Sequence, residues 1–525
     1  MRLPRCGCVR SCALYGIQGV LVDIEATILP GLPSFEIVGL GDSAVRESRN
    51  RVHAAIKNCG FDFPASRITA SYAPAWQRKE GSAFDLPLAL AILIATGQLP
   101  PAAPALCVFG ELSLNGEVRG VPGAICRVAS CLEQSVSHIL VPSKNFVEAE
   151  SAGSDRIWPV KTLREAAAVI KGESAKPESG YLMSSQADCR NSNDHSRQSR
   201  DINSIIGQEK AVRALQIAAA GRHNILMLGS PGCGKTTLAS FLPDLLPPLE
   251  PAEALQVTRI FSASGLLGDG GGLMQARPFR APHHSITRMA MIGGGAIPVP
   301  GEISLAHHGV LFLDEMTEFS PDTLDLLRQP LEDRQVRLVR LHHNMVYPSD
   351  FMLVGAANPC RCGEYFESND HCRCSDDSVR QHLGRLSGPL LDRIDLAVEM
   401  TRLNGVDLPR CVSRLDSSGT RTAQLAGAIG ICWQIQKERC AGHGQPFVTN
   451  SRFNGSDLVK HLDIPPPVAA FAAKSAEELF LSVRGYQRIL KVARTIADLE
   501  EHIQVSSRHV AEALQFRLRL PARKG

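Results

Sequence analysis

Apolar positions along the chain follow two periodicities, broken by a few uninterrupted runs. From Val20 to Ile28 they alternate, with Val20, Val22, Ile24 and Ala26 on one side, which predicts a half-buried strand. Leu29 to Pro33 follows as a Pro/Gly turn. From Ser43 to Cys59 the spacing is helical, with Val45, Val52, Ala55 and Ile56 on one face. Phe84 to Ala95 predicts a buried helix, and Leu106–Phe109 and Glu117–Val121 predict strands. Ile225–Leu228, Val310–Leu313 and Phe351–Val354 are continuous apolar runs and predict buried strands. Leu238, Leu242 and Leu245 predict a helix after the first of these, and Ile489–Leu499 predicts another near the end of the chain.

This patterning divides the chain. Residues 1–171 form a mixed α+β unit. Residues 172–201 are dominated by Ser, Asn, Asp, Gln and Arg, with few side chains able to support a core, and predict a flexible linker. An α/β core spans 202–401, and a helical unit spans 402–525 after the polar stretch Ser413–Arg421. A length of 525 residues agrees with about three domains. No repeat of solenoid period is present.

Composition narrows the class only slightly. With 56 basic against 53 acidic residues, the net charge of +3 does not announce a nucleic-acid binder, so any such surface must be local. Aromatic content of 5% argues against broad base-stacking platforms. The N-terminus has no apolar signal segment, and no run reaches the roughly 18 apolar residues of a membrane span. The expectation is a cytoplasmic protein whose 16 cysteines are thiols rather than disulfides.

Chemistry concentrates at the ends of the apolar runs. Gly229-Ser230-Pro231-Gly232-Cys233-Gly234-Lys235-Thr236 fits G-x-x-x-x-G-K-[ST] between a predicted strand and a predicted helix, the context a P-loop requires. Its glycines let backbone N–H groups wrap phosphate oxygens, Lys235 reaches the β- and γ-phosphates, Thr236 ligates Mg²⁺, and Thr237 extends the loop's contact with the nucleotide. Val310–Leu313 ends in Asp314-Glu315, a Walker B pattern: Asp314 for Mg²⁺, Glu315 to polarise the attacking water. Cys360-Arg361-Cys362 and Cys372-Arg373-Cys374 offer four thiols in a short stretch, either a structural Zn²⁺ site, with His371 as a substitute ligand, or reduced cysteines packed in a loop.

Together with Ile206-Gly207-Gln208-Glu209, the P-loop and Walker B strand resemble AAA+ ATPases. The resemblance implies that Asn358, in Ala356-Ala357-Asn358-Pro359, is sensor 1, and that Arg393, in Leu390-Leu391-Asp392-Arg393-Ile394-Asp395, is an arginine finger reaching a neighbour's ATP. Over nearly its whole length the chain resembles the Mg-chelatase-like ComM/YifB family. Gly31–Leu40, Glu47–Val52, Lys79–Pro87, Gly110–Ser113, Arg280–Ser285 and Leu481–Tyr486 carry that likeness. It implies a hexameric, ATP-driven motor on single-stranded or branched DNA that promotes branch migration during natural transformation. In the C-terminal lid, Arg484 is expected as sensor 2, with Arg488 the alternative, both ahead of the predicted helix.

Two insertions are expected to grip DNA. Ser264–Ser304 is glycine-rich and carries Arg277, Arg280, His283, His284 and Arg288, as a mobile cationic loop would. Arg334–Arg340 alternates as a β-hairpin with Arg334 opposite its apolar residues, and resembles the pore hairpin of MCM-type motors. The alternative is that these arginines pair with Glu332, Asp333 and nearby acids. The first unit is similar to the Lon protease domain, with Ser82 near the nucleophile position. However, Gly123-Ala124-Ile125-Cys126-Arg127 lacks the dyad lysine, so a Lon-like fold without peptidase activity is expected. A metal-chelatase motor subunit, an ATP-dependent protease and a nucleotide-gated scaffold are the rival classes.

Overall fold

The alternation from Val20 to Ile28 folds into a long antiparallel pair. The computed structural model describes residues 5–38, 43–74, 79, 81–173, 202–205, 207–268, 271–295, 298–340, 343–367, 372–402, 420–453, 458 and 461–517. Strand β1 (Arg5–Tyr15) pairs with β2 (Gln18–Leu29) along its full length, and Val22, Ile24 and Ala26 are buried. With β3 (Ser34–Val38), β4 (Arg67–Ala73), β5 (Leu106–Val108), β6 (His138–Pro142) and β7 (Ile157–Val160) they build a seven-stranded sheet in the order β3-β4-β2-β1-β5-β6-β7. Helix α1 (Ser43–Asn58) buries Val45, Val52, Ala55 and Ile56, the face its spacing predicts. Helix α2 (Asp85–Ala95) is buried at every residue, which an all-apolar helix requires.

The second unit is built on five parallel strands, β8 (Ile225–Gly229), β9 (Phe279–Arg280), β10 (Val310–Leu313), β13 (Met352–Ala357) and β14 (Leu396–Met400), in the order β9-β10-β13-β8-β14. The three continuous apolar runs supply its centre, and every residue of β8, β10 and β13 is buried. A strand covered on both faces has no solvent side to alternate toward. A separate hairpin, β11 (Gln335–Arg340) and β12 (His343–Pro348), lies between β10 and β13 in the chain. The helix predicted through Leu238, Leu242 and Leu245 is broken into Lys235–Ala239 and Leu242–Leu245. Pro243 explains the break, because a ring in place of an N–H fits only the first turn of a new helix. The C-terminal unit is helical: α9 (Thr420–Gly442), α10 (Pro466–Glu478), α11 (Val483–Leu499) and α12 (Ser507–Gln515). Because α11 begins at Val483, Arg484 and Arg488 lie within its first turns rather than ahead of it; Ser482 caps it by accepting from Gly485 N. Residues 174–201 of the predicted linker, and 403–419, lie outside the described residues. No helix among the described residues is long and apolar enough to cross a membrane.

The first unit docks on the second at two places. Helix α3 (Ala124–Glu133) meets α6 (Pro251–Ala263): Gly123 N donates to Ser262 O (3.1 Å) and Cys126 Sγ to Arg259 O (3.3 Å). At the β1–β2 turn, Tyr15 and Ile17 pack into the core beneath the hairpin. Gly16 there (φ 60°) lies so near Tyr347 that a Cβ would come within 3.3 Å of the ring.

Asp350, just before β13, ties three parts of the second unit together. It is ion-paired with Arg222 (3.3 Å), which caps the end of α4 (Glu209–Gly221), and with Arg452 of the helical unit; Arg334 adds charge. Burial alone would raise the Asp350 carboxyl, but these arginines outweigh it and hold the group well below the usual range. Beside it, burial and neighbouring charge push His307 and His308 from 6.5 to about 3. Above pH 6.5 both states hold these rings neutral; below it only the unfolded chain takes up the protons, so stability falls as pH drops from 6.5 toward 3. Denaturant midpoints measured across that window should decline, and His307→Asn should flatten part of the decline.

Candidate functional site

The parallel register fixes which residues meet. Leu228 pairs with Ala357 and Leu313 with Gly355, so the ends of β8, β13 and β10 open at the same edge of the sheet. Gly229-Ser230-Pro231-Gly232-Cys233-Gly234 turns from β8 into helix α5 (Lys235–Ala239). Gly232 and Gly234 take φ of 78° and 93°, and nothing lies within 4 Å of where a Cβ would stand. The loop is therefore both glycine-dependent and open on the side where phosphates approach. Gly229 has the opposite need: a Cβ would sit 2.4 Å from Met400 O on β14.

Lys235 is almost wholly buried, and its Nζ donates to Gly229 O (2.7 Å), Ser230 O (3.0 Å) and Asn358 Oδ1 (3.1 Å). Burial pushes its ammonium below the ordinary lysine range, and the nearby charges of Asp314 and Glu315 oppose that shift only in part. Thr236 Oγ1 donates to Asp314 Oδ2 (2.7 Å), which joins the two predicted Mg²⁺ ligands. Glu315, the next residue, adopts a left-handed backbone (φ 49°) and leaves its side chain half-exposed toward a cleft of about 340 Å³. A non-glycine residue in that region is strained, as is frequent where a side chain is aimed for chemistry. Thr236, His284, Asp314 and Glu315 line the cleft. Among the predicted loop residues, Pro231, Thr236 and Thr237 are exposed, whereas Ser230 and Cys233 are buried. These residues fit a nucleotide phosphate chain and a hard divalent cation: open backbone donors, one buried ammonium and an adjacent hydroxyl–carboxylate pair.

The predicted arginines fall elsewhere. Arg393 pairs with Glu332 at 2.7 Å, and Arg484 reaches the same carboxylate at 3.4 Å. Arg488 donates to Ile394 O and Leu391 O (3.2 Å) and pairs with Asp392, so it anchors α11 to the segment that carries Arg393. No arginine lines the cleft among the described residues.

The insertions are corrected in part. Arg277 is a structural bolt: it donates to Pro247 O, His308 O and Glu253, and stacks 5.0 Å over Trp433. Arg280, in β9, forms a two-pronged pair with Glu302 at 2.6 Å. Neither is a free cation of a mobile loop: Arg277 is buried and must be paired, and both prongs of Arg280 are taken by Glu302. Arg334 is not on a hairpin face; it caps the preceding helix α7 (Arg328–Asp333) with φ 55° and donates to Arg452 O (3.3 Å). The hairpin itself buries Val336, Leu338, Met345 and Tyr347 and exposes Arg337 and Val339. The side chain of Arg340 lies outside the described residues, as does His371.

The four cysteines converge: Cys360 to Cys362 is 3.3 Å, Cys360 to Cys372 3.8 Å, Cys362 to Cys372 3.6 Å and Cys374 to Cys362 3.6 Å between sulfurs. In the first unit Ser82 bonds Glu111, and Arg127 is buried, donating to Cys12 O and lying over the Phe109 ring. Burial lowers Arg127 from its ordinary value, and its contacts commit it to β1 and the Phe109 ring. Sequence reasoning counted His284 among the cations of a DNA-gripping loop and did not foresee its place beside Glu315, where its Nδ1 stands 3.6 Å from Oε2. Its motif was legible only as a family likeness; the contact needs β9 beside β10, set by Phe279 pairing with Val310.

The chain matches the families described as magnesium chelatase, subunit ChlI, over residues 201–408; subunit ChlI of Mg-chelatase over 24–145; and the ChlI C-terminal region over 419–517. It is 40% identical over 510 residues to competence protein ComM of Haemophilus influenzae, covering 97% of each chain. It is 39% identical over 512 residues to YifB of Salmonella typhimurium, covering 97% of this chain and 96% of that one. An archaeal Lon protease of Thermococcus kodakarensis is 26% identical over 167 residues, 30% of this chain and 26% of that protein.

His284→Ala is expected to slow ATP turnover by about tenfold or more, because Glu315, the carboxylate expected to polarise water, loses its neighbour and small displacements at a reacting centre are costly. ATP affinity should stay within about twofold, since His284 contacts Glu315 and not the phosphate loop. Steady-state turnover and equilibrium nucleotide binding, measured side by side, separate these effects.

Proposed function

Because the chain belongs to the Mg-chelatase-like family of ComM and YifB, we propose that it is an ATP-hydrolysing, ring-forming motor that translocates on single-stranded or branched DNA and promotes branch migration during DNA integration. The observation that carries this reading is a divided site: Lys235, Thr236, Asp314, Glu315 and Asn358 meet at one sheet edge, while Arg393 and Arg484 are gathered on Glu332. A phosphoryl-transfer site without an arginine lacks its main source of charge stabilisation, and a neighbouring protomer's Arg393 supplies it. The loop's N–H groups and Lys235 hold the phosphates; Thr236 and Asp314 hold Mg²⁺, which when bound neutralises charge on the leaving phosphates. Glu315, oriented by His284, takes the proton of the attacking water, and Asn358 positions that water. Arg337 and Val339, on the exposed face of the hairpin, contact the DNA backbone; a ring of six brings six such faces into one channel, so a chain of net charge +3 still presents a positive pore.

The first unit serves DNA binding or ring assembly, with no peptidase activity. The four cysteines hold one structural Zn²⁺. The protein works in the cytoplasm, and the name of the Haemophilus influenzae relative supports a role in competence. A chelatase-type motor is the second reading, favoured by the ChlI family match over 201–408.

ATP turnover measured alone and with forked, single-stranded and duplex DNA decides between the two. Stimulation by DNA supports the translocase; no response to any DNA, with activation by a porphyrin acceptor system, supports the chelatase. Arg393→Ala should leave ATP binding intact and cut turnover by about 10³-fold, the scale of a missing arginine finger. Arg337→Ala should reduce the salt slope of DNA affinity by roughly 0.7–0.9 for each phosphate that the guanidinium neutralises. An unchanged slope would place DNA elsewhere.

A further inference from the structure

The four sulfurs are arranged as metal ligands are. Tetrahedral Zn–S bonds of about 2.3 Å put the sulfurs about 3.8 Å apart; four of the six separations run from 3.3 to 3.8 Å, and all lie within 4.8 Å. All four cysteines are free thiols, and these separations far exceed the roughly 2.05 Å of a disulfide. A zinc held by four thiolates carries two excess negative charges; an arginine stands between the ligands of each pair, Arg361 and Arg373.

What surrounds this cluster is the nucleotide site. Cys360 follows Asn358 by two residues, and Asn358 Oδ1 accepts from Lys235. On the far side of the cluster, Cys374 leads into helix α8 (Asp376–Leu383), whose His382 contacts Asn358 O at 3.2 Å. Between the cysteine pairs, Glu367 Oε1 accepts from Ser230 Oγ of the phosphate loop (2.6 Å) and from Arg402 N (3.1 Å). Arg402 also pairs with Glu364 at 2.7 Å. Gly363 (φ 83°) lies so close to Pro231 that a Cβ would stand 2.3 Å from its Cδ.

We propose that the four-cysteine site is a zinc brace for the phosphate loop: the metal fixes the segment after Asn358, and that segment presses Gly363 against Pro231 and Glu367 against Ser230. This rests on the ATP and zinc readings above and adds a role to the metal. Backbone donors in a glycine loop bind phosphates only when their directions are set in advance, and the loop's own glycines supply no stiffness. The brace supplies it from outside, at one point of steric contact and one hydrogen bond. Only Pro359 separates the metal ligand Cys360 from Asn358, so the same metal sets the sensor's position.

Full-length protein is assayed for zinc by atomic emission and for affinity toward a fluorescent ATP analogue, before and after zinc is displaced by an organomercurial and again after thiol and Zn²⁺ are restored. One zinc per chain is expected. Its removal should weaken nucleotide affinity about tenfold or more, the scale of one charge-assisted hydrogen bond, with recovery on restoration and circular dichroism unchanged. Gly363→Ala should retain zinc and still weaken nucleotide binding; Glu367→Ala should do the same to a smaller degree. Absence of stoichiometric zinc would overturn the metal site and the brace together. Stoichiometric zinc with affinity unchanged on its removal, and unchanged in Gly363→Ala, would overturn the brace and leave a structural metal. Failure of the untreated protein to bind any nucleotide would overturn the ATPase reading and the brace with it.

Discussion

The hydrogen-bonded register of three parallel strands is the constraint from which the site follows. With Leu228 opposite Ala357 and Leu313 opposite Gly355, the phosphate loop, Asn358 and Asp314 emerge at one edge, although they are spread over some of the most separated parts of the core. Parallel sheets place their ligand sites at the carboxyl ends of strands, because the loops there face outward together. Burial of every residue in those strands makes slippage costly: any shift would drive Asp314 or Asn358 into the apolar layer.

Around that edge, charge pairing decides what can move with what. Asp350 binds Arg222 and Arg452 and draws Arg334, so the end of an ATPase helix, the base of the hairpin and the helical unit meet on one buried carboxylate. Glu332 holds Arg393 and Arg484 together in the same way at the surface. The first cluster is buried and therefore all-or-none, since removing one partner strands a charge. The second lies nearer solvent, with Glu332 and Arg484 about half-exposed, so its pairs are screened and individually weak.

The N-terminal unit is held to the second through buried contacts. Where the Lon resemblance calls for a dyad lysine, the chain has Cys126 and Arg127, and the structure buries both in contacts to the ATPase helix and to β1. That helix is now an interface element, and the β1–β2 turn packs beneath the hairpin. Gly16 of that turn lies against Tyr347 of the hairpin, so the two units touch there.

Most of the candidate site was legible in the sequence, because it is written in short contiguous segments whose meaning depends on their immediate neighbours. The glycine loop, Asp314-Glu315, Asn358, the paired cysteines and the apolar runs that became β8, β10 and β13 are of this kind. The misreadings share one cause. Alternation in 334–340 assigned Arg334 to a strand face, and the cationic stretch around Arg277 and Arg280 suggested a free loop. What settled both was partners distant in the chain: Arg452, Glu253, Glu302. The same holds for His284 beside Glu315, for Arg393 and Arg484 on one carboxylate, and for Glu367 against Ser230. Periodicity and motif report which residues a segment offers; which of them are consumed in pairing depends on contacts that exist only after the sheet has closed and the helical unit has packed on it.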